Sequence, residues 1–284
     1  MSHLVTGSNG QLGRAVLDEC RGRGLEVSGH DHAALPIEDL AAVRRAFRER
    51  RPRFVLHCAA WTDVDGCEKD PAKAFLVNGT GSANVAIAAQ ECGAGVVAVS
   101  TDFVFDGAQS RPYGVHDPVR PISVYGQSKL AGEVAMLAEP RSRVWVLRTS
   151  WVYGPGGKNF PLAILKRARS GQPMSVVEDE VGSPSMTRDL AAAMLDLCAR
   201  EAPPGIYHAS NEGIVSRWQF ATDILRVAGL ADVPVAKVEA RSLTRPAARP
   251  AYSALDCSRL TAVRAKPLPH YLDALQRYLK EEPQ

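Results

Sequence analysis

The chain opens with a short apolar run, Leu4-Val5-Thr6, that passes directly into Gly7-Ser8-Asn9-Gly10-Gln11-Leu12-Gly13 and then into a helical pattern. No other feature constrains the fold as strongly. Glycines between a strand and a helix let the amides of a helix N-terminus approach a phosphate, because no Cβ intervenes. The spacing is G-x-x-G-x-x-G, one residue off the dinucleotide fingerprint G-x-G-x-x-G. The same glycines suit an ordinary strand–helix turn, so the rest of the chain has to decide.

The pattern continues in kind. Leu12, Val16 and Cys20 share one helical face, with Gly24 as the stop. Glu26–His30 reads as a second strand, Leu40, Val43 and Phe47 mark a second helix, and Phe54–Cys58 is a third strand after Pro52. Asp70-Pro71 is an N-cap followed by proline at the first helical position, which predicts one helix from there to Cys92, closed by Gly93. Gly95–Ser100 is a continuous apolar run, as in a strand covered on both faces. A helix over Val124–Leu137 and a strand over Val144–Thr149 follow. This alternation predicts an α/β fold, a Rossmann-type doubly wound parallel sheet.

After Tyr153-Gly154-Pro155-Gly156-Gly157 the pattern loosens. Helices are expected over Phe160–Arg169, Arg188–Arg200, Trp218–Ala228 and His270–Lys280, with strands over Ser175–Glu178, Gly205–His208 and Ala236–Glu239. The expectation is a dinucleotide-binding unit over residues 1–153 and a smaller α/β substrate-binding lobe over 154–284. Some strands and helices of that lobe return to the first unit. A ligand would sit at the carboxyl ends of the strands, between sheet and lobe.

Composition excludes several classes. Lys and Arg number 34 against 31 Asp and Glu, a net +3 that is too balanced for a nucleic-acid binder. The basic run Arg44, Arg45, Arg48, Arg50 and Arg51 lies on a predicted surface helix and reads as a solvated face. The 6 cysteines form no C-x-x-C and no zinc-ligand spacing, so they read as small apolar core residues in a reducing compartment. No apolar run approaches the ~18 residues of a membrane helix, and the start carries no signal-peptide pattern. A cytoplasmic protein with no nucleic-acid or membrane partner is expected.

Three motifs carry chemistry. Asp31 ends the second strand, where a carboxylate accepts hydrogen bonds from an adenosine ribose and favours NAD; in His30-Asp31-His32 it also suits a plain turn. Tyr125-Gly126-Gln127-Ser128-Lys129 places a phenol and an ammonium on one helical face. Such an ammonium is expected to lower the phenol pKa from about 10, letting it exchange a proton while a hydride moves at the attached carbon. A solvated Tyr–Lys pair is the plainer alternative. Ser100-Thr101-Asp102 ends a buried strand, where hydroxyls face either a substrate oxygen or loop backbone.

Four segments occur in order: Ala59-Ala60-Trp61-Thr62-Asp63-Val64-Asp65, Ser100–Gly107, Tyr125–Lys129 and Arg148-Thr149-Ser150-Trp151-Val152-Tyr153-Gly154. Together they resemble the extended short-chain dehydrogenase/reductase family, in its dTDP-4-dehydrorhamnose reductase branch. Asn159-Phe160, Gly182-Ser183-Pro184, Gly205–His208 and Arg249–Ser253 extend the likeness over nearly the whole chain.

The resemblance implies NADPH or NADH as hydride donor and reduction at C4 of dTDP-4-dehydro-6-deoxy-L-mannose, giving dTDP-L-rhamnose. It implies Tyr125 as proton donor, Lys129 on the nicotinamide ribose and Thr101 on the substrate carbonyl. Gly7, Gly10, Gln11, Leu12 and Gly13 would serve the pyrophosphate, Asp31 the adenosine ribose, and Ala60, Trp61 and Thr62 the middle of the cofactor. Val64, Asp102 and Trp151 would line the sugar pocket. Mg2+ rests on the resemblance alone, and a homodimer stays open.

Three positions depart from the family pattern: Phe103 for Tyr, Glu180 for Gln and Pro36 for an acidic residue. Sugar dehydratases of the superfamily carry Asp-Glu after the Thr, whereas Phe103 follows Asp102 here, which counts against dehydration. Reduction of another nucleotide-linked 4-keto-sugar is an alternative reading. So is a non-catalytic dinucleotide-binding subunit resembling the regulatory subunits of methionine adenosyltransferase, on His57–Ala60 and Leu255–Leu260.

Overall fold

The computed structural model describes residues 2–138 and 143–281, so Met1 and residues 282–284 of the two expected units lie outside the described residues. The first half runs β1 (His3–Thr6), α1 (Gln11–Gly22), β2 (Val27–His30), α2 (Leu40–Arg50), β3 (Phe54–His57), α3 (Val64–Lys69) and α4 (Pro71–Ala74). A π-helical segment, Phe75–Thr80, leads into α5 (Gly81–Cys92), β4 (Gly95–Thr101), α6 (Val124–Ala138) and β5 (Arg143–Thr149). The second half comprises β6 (Val152–Tyr153), α7 (Phe160–Arg169), β7 (Met174–Val177), β8 (Val181–Gly182), β9 (Ser185–Met186) and α8 (Thr187–Ala199). It ends with β10 (Gly205–His208), β11 (Val215–Ser216), α9 (Arg217–Val227), β12 (Val235–Val238), α10 (Ser258–Arg264) and α11 (Tyr271–Glu281).

Six parallel strands form the central sheet in the order β10-β5-β4-β3-β1-β2. Consecutive residues point to opposite faces of a strand, and both faces here are apolar. Val5, Leu56, Val97 and Leu147 join one core with Val16, Leu190 and Met194 of α1 and α8. Leu4, Val55, Val96 and Val146 join the other with Val43, Phe47 and Val85 of α2 and α5. The doubly wound α/β fold is as expected. The late segments α8 and β10 complete this sheet: β10 is its edge, paired with β5 through Tyr207 and Leu147.

Helix α10 packs on this sheet core through Leu260, whereas α7, α9, α11 and the short strands β6, β7, β8, β9, β11 and β12 make a lobe around Phe220 of α9. That ring stacks on Phe160 at 5.7 Å and meets Tyr153 and Tyr271 at 5.8 and 6.1 Å. Short strand pairs β6–β9, β7–β12 and β8–β11 tie it together. Side-chain caps start its helices: Asn159 accepts from the Leu162 amide at 3.0 Å, and Ser216 from Gln219 at 3.0 Å.

One expected element is corrected. The single helix from Asp70 to Cys92 is broken by the π-helical segment, after a start at Asp70 and Pro71 as read from the sequence. The wider turn carries Asn78, a buried side chain that serves the site. Of the cysteines, Cys20, Cys67 and Cys198 are buried, Cys58, Cys92 and Cys257 are half-buried, and all are free thiols. No helix among the described residues is long and apolar enough to cross a membrane.

Candidate active site

The strand order reverses between β1 and β3, the position where doubly wound sheets open a crevice. Gly7 sits there with φ 65°, and a Cβ on it would lie 2.7 Å from the Ala59 backbone. A Cβ on Gly13 would lie 2.2 Å from the Gly7 carbonyl oxygen. These contacts fold the loop tightly and leave the first amides of α1 facing a cleft of about 690 Å³. A cradle of this kind, closed to any side chain, fits a dinucleotide pyrophosphate.

Of the residues singled out from the sequence, Gly10, Gln11, Leu12, Gly13, Ala60, Thr62, Val64, Thr101, Asp102, Tyr125, Lys129 and Trp151 all line this cleft. Gly7, Asp31 and Trp61, expected on the cofactor, do not line it. Asp31 accepts from the Asn9 amide side chain at 2.5 Å and from the Ala34 backbone at 2.9 Å, so it braces the glycine loop and its own turn together. Trp61 has its ring 4.5 Å from the Lys73 ammonium, while its backbone N–H and C=O are both held by Asn78.

Thr101 comes from β4, and Tyr125 and Lys129 from α6. Lys129 is buried and donates to the Val99 carbonyl at 2.8 Å. Burial lowers its pKa to about 8, against a smaller opposing effect of Glu133. Tyr125 is 9% exposed; burial drives its phenol well above the ordinary range, the Thr101 hydroxyl beside it works the other way, and the Asp102 charge adds to the rise. The expectation that Lys129 lowers this phenol is therefore not met in this structure. The ammonium is turned to β4, and desolvation dominates.

Thr101 donates to Asp102 Oδ1 at 3.0 Å and accepts from the Phe103 amide at 3.2 Å. Asp102 is 2% exposed, and burial raises its pKa to about 6 despite the Ser253 and Thr101 hydroxyls beside it. Thr149, opposite Thr101 in the β4–β5 register, has an unpartnered buried hydroxyl on the cleft. Behind them Glu133 accepts a forked bond from Arg148, at 2.6 Å on Oε2 and 3.0 Å on Oε1, and a bond from the Ser100 hydroxyl, all buried. This pair clamps α6 to β4 and β5.

The lobe supplies the opposite wall. Trp151 holds φ 46°, a left-handed conformation that a bulky residue adopts only when its surroundings enforce it. Its ring lies over Gly182, and the Arg217 guanidinium lies 3.6 Å from the ring centroid. Glu180 is buried in an ion pair with Arg245, and Arg249 binds Asp65 at 2.9 and 3.1 Å. Gln11 donates to the Lys158 carbonyl at 2.7 Å and Arg14 to that of Gly156 at 3.2 Å, which draws the lobe over the glycine loop.

The departures are placed as well. Phe103 meets the Tyr125 ring edge-on at 5.5 Å, and Pro36 is a half-buried turn residue remote from the cleft lining. Asn78, Arg217 and Arg245 escaped sequence reasoning; Thr149, Arg249 and Ser253 lay in matched segments that pointed to them without a role. Among the described residues no three His, Cys, Asp or Glu side chains converge as a metal site.

Comparison with known proteins agrees with this architecture. The family model of the RmlD substrate binding domain matches residues 1–283. The chain belongs to that family. A dTDP-4-dehydrorhamnose reductase of Streptomyces griseus is 41% identical over 276 residues, 96% of this chain and 91% of the relative. The spore coat polysaccharide biosynthesis protein SpsK of Bacillus subtilis (strain 168) is 40% identical, covering 98% of this chain and 96% of its own. A solved dTDP-4-dehydrorhamnose reductase from Bacillus anthracis str. Ames, in complex with NADP, superposes with a TM-score of 0.94 at 33% identity, covering 99% of each chain.

Proposed function

We propose that this member of the RmlD family reduces the C4 keto group of dTDP-4-dehydro-6-deoxy-L-mannose to give dTDP-L-rhamnose, with NADPH or NADH as reductant. The convergence of Thr101, Tyr125 and Lys129 on the cleft that the glycine loop also faces carries the reading. The reductase class rests on family membership, and the names of the relatives supply the substrate.

The bound nicotinamide supplies the hydride. Gly10 to Gly13 bind the pyrophosphate through backbone amides, and Ala60, Thr62 and the Asn78-held loop flank the middle of the cofactor. Asp31, held by Asn9 outside the cleft lining, would serve the adenosine ribose. Lys129 turns from the Val99 carbonyl to the nicotinamide ribose, a short swing for a flexible ammonium. Thr101 offers its hydroxyl to the substrate carbonyl oxygen. Tyr125 then gives its proton to that oxygen as the C4 centre becomes an alcohol. A phenol held above its ordinary pKa stays protonated at neutral pH, as this step requires. Val64, Asp102 and Trp151 border the sugar.

Tyr125→Phe tests the assignment. Turnover should fall by about 10²–10⁴, the range for removing a positioned proton donor, with cofactor affinity within about twofold of wild type. Wild-type turnover in this variant would refute the proton-donor role. Phe103 and Glu180 favour a second reading in which another nucleotide-linked 4-keto-sugar is reduced, because they alter groups on the substrate side and leave the reactive ones intact.

A further inference from the structure

One buried carboxylate stands just outside the cleft lining, beneath the residues that do line it: Glu133. Its two oxygens accept from the Arg148 guanidinium, at 2.6 and 3.0 Å, and from the Ser100 hydroxyl. Ser100 and Arg148 are partners in the β4–β5 register, one residue before the cleft-lining pair Thr101 and Thr149. Successive strand residues point to opposite faces, so Glu133 grips the far side of the strand ends that present those two hydroxyls.

Lys129 precedes Glu133 by one turn of α6, a spacing that puts both on one helical face. Its ammonium bonds the Val99 carbonyl at 2.8 Å and leaves the carboxylate to Arg148. Two buried cations thus share one anion. Nearby titratable groups give Lys129 little help. Burial and the Lys129 charge pull the pKa of His57, in β3, down to about 3, and burial pushes the Cys58 thiol up to about 12. Both are therefore neutral at pH 7, as is the Tyr125 phenol. Asp102 is engaged by the Thr101 and Ser253 hydroxyls.

We propose that Glu133 is the positioning residue that keeps Lys129 an ammonium, and that Arg148 holds this carboxylate back so that the ammonium stays free to reach a cofactor ribose. The inference deepens the reductase reading above and rests on it for the ribose contact. A buried ammonium needs an opposite charge close by. A direct ion pair would supply one but would tie Lys129 down. With both carboxylate oxygens occupied by an arginine, the attraction remains and the tie is gone. Charge acts over several ångströms, whereas a hydrogen bond needs contact.

The test is fluorescence titration with NADPH across the pH range, read as the pH at which affinity begins to fall, about 8 in the wild type. Glu133→Gln should move that break down by about one unit or more, as expected when an opposite charge within about 4–6 Å is removed. Arg148→Met frees the carboxylate to pair with Lys129, so the break should move up while affinity at neutral pH falls by about tenfold. Glu133→Gln combined with Arg148→Met strands no buried charge and should keep the downward shift, which decides the matter if a single variant fails to fold. A merely structural pair would weaken binding at every pH and leave the break in place in all three variants, and that result would overturn the proposal. So would a break that moves the same way in both single variants. No sugar enters this assay. A protein that shows the opposite shifts yet reduces no keto-sugar would defeat the reductase reading and leave this one standing.

Discussion

Lys129 and Tyr125 show what burial does to a pair of groups that sequence spacing can only place side by side. Their four-residue separation fixes a shared helical face, but it says nothing about solvent, and removal of solvent governs both titrations. Lys129, held near pKa 8, is an ammonium at neutral pH and loses its proton as pH rises through that value. A neutral amine still donates but no longer offers a charged bond to a ribose hydroxyl. NADPH affinity should therefore be flat below about pH 7 and weaken by up to about tenfold per unit above pH 8. Lys129→Gln should bind more weakly throughout and lose that slope, measured by fluorescence titration of the cofactor. An unchanged slope in the variant would assign the titration elsewhere. Thr101, Tyr125 and Lys129 were legible as motif members. Arg217 was not, because its contact with Trp151 joins two distant segments and no local pattern signals it.

At the level of elements, the six strands of the central sheet and most helices were readable within a residue or two, since apolar periodicity and caps such as Asp70-Pro71 act locally. The two-residue strands β6, β8, β9 and β11 and the short helices α3 and α10 are too brief to show a period. The break in the helix after Asp70 was not readable. A π-helical turn leaves the apolar pattern nearly intact and is set by a tertiary demand, here Asn78. From that turn Asn78 accepts the Trp61 N–H at 2.8 Å and donates to the Trp61 carbonyl and the Ser128 hydroxyl, each at 3.0 Å. It therefore joins the loop after β3 to α6, two elements that line the cleft. Asn78→Ala strands buried partners and should destabilise the protein by roughly 2–4 kcal/mol, read from urea unfolding, and should also weaken NADPH binding. A loss below about 0.5 kcal/mol would mean that water replaces the amide without cost.

Across the whole molecule, sheet and lobe divide the work. The strand reversal between β1 and β3 positions the glycine loop, β4 and α6 bring Thr101, Tyr125 and Lys129 to its edge, and the lobe closes the far wall with Trp151 and the arginines. The chain crosses between these parts more than once. Apolar periodicity foretold α8 and β10 as elements, but only pairing with β5 and packing on α1 put them at the sheet. The segment 154–158 between the two parts reaches back over the glycine loop and adds Lys158 to the cleft lining.

The most direct test of the account is the absorbance of reduced nicotinamide in wild-type protein offered a panel of dTDP-, UDP- and GDP-linked 4-keto-sugars, with dTDP-4-dehydro-6-deoxy-L-mannose among them. The account predicts oxidation of one NADPH or NADH per dTDP-L-rhamnose formed with that substrate, and much slower oxidation with the UDP and GDP sugars. Tight cofactor binding with no oxidation by any member of the panel would contradict it, and would make the cleft a dinucleotide-binding site without a reductase.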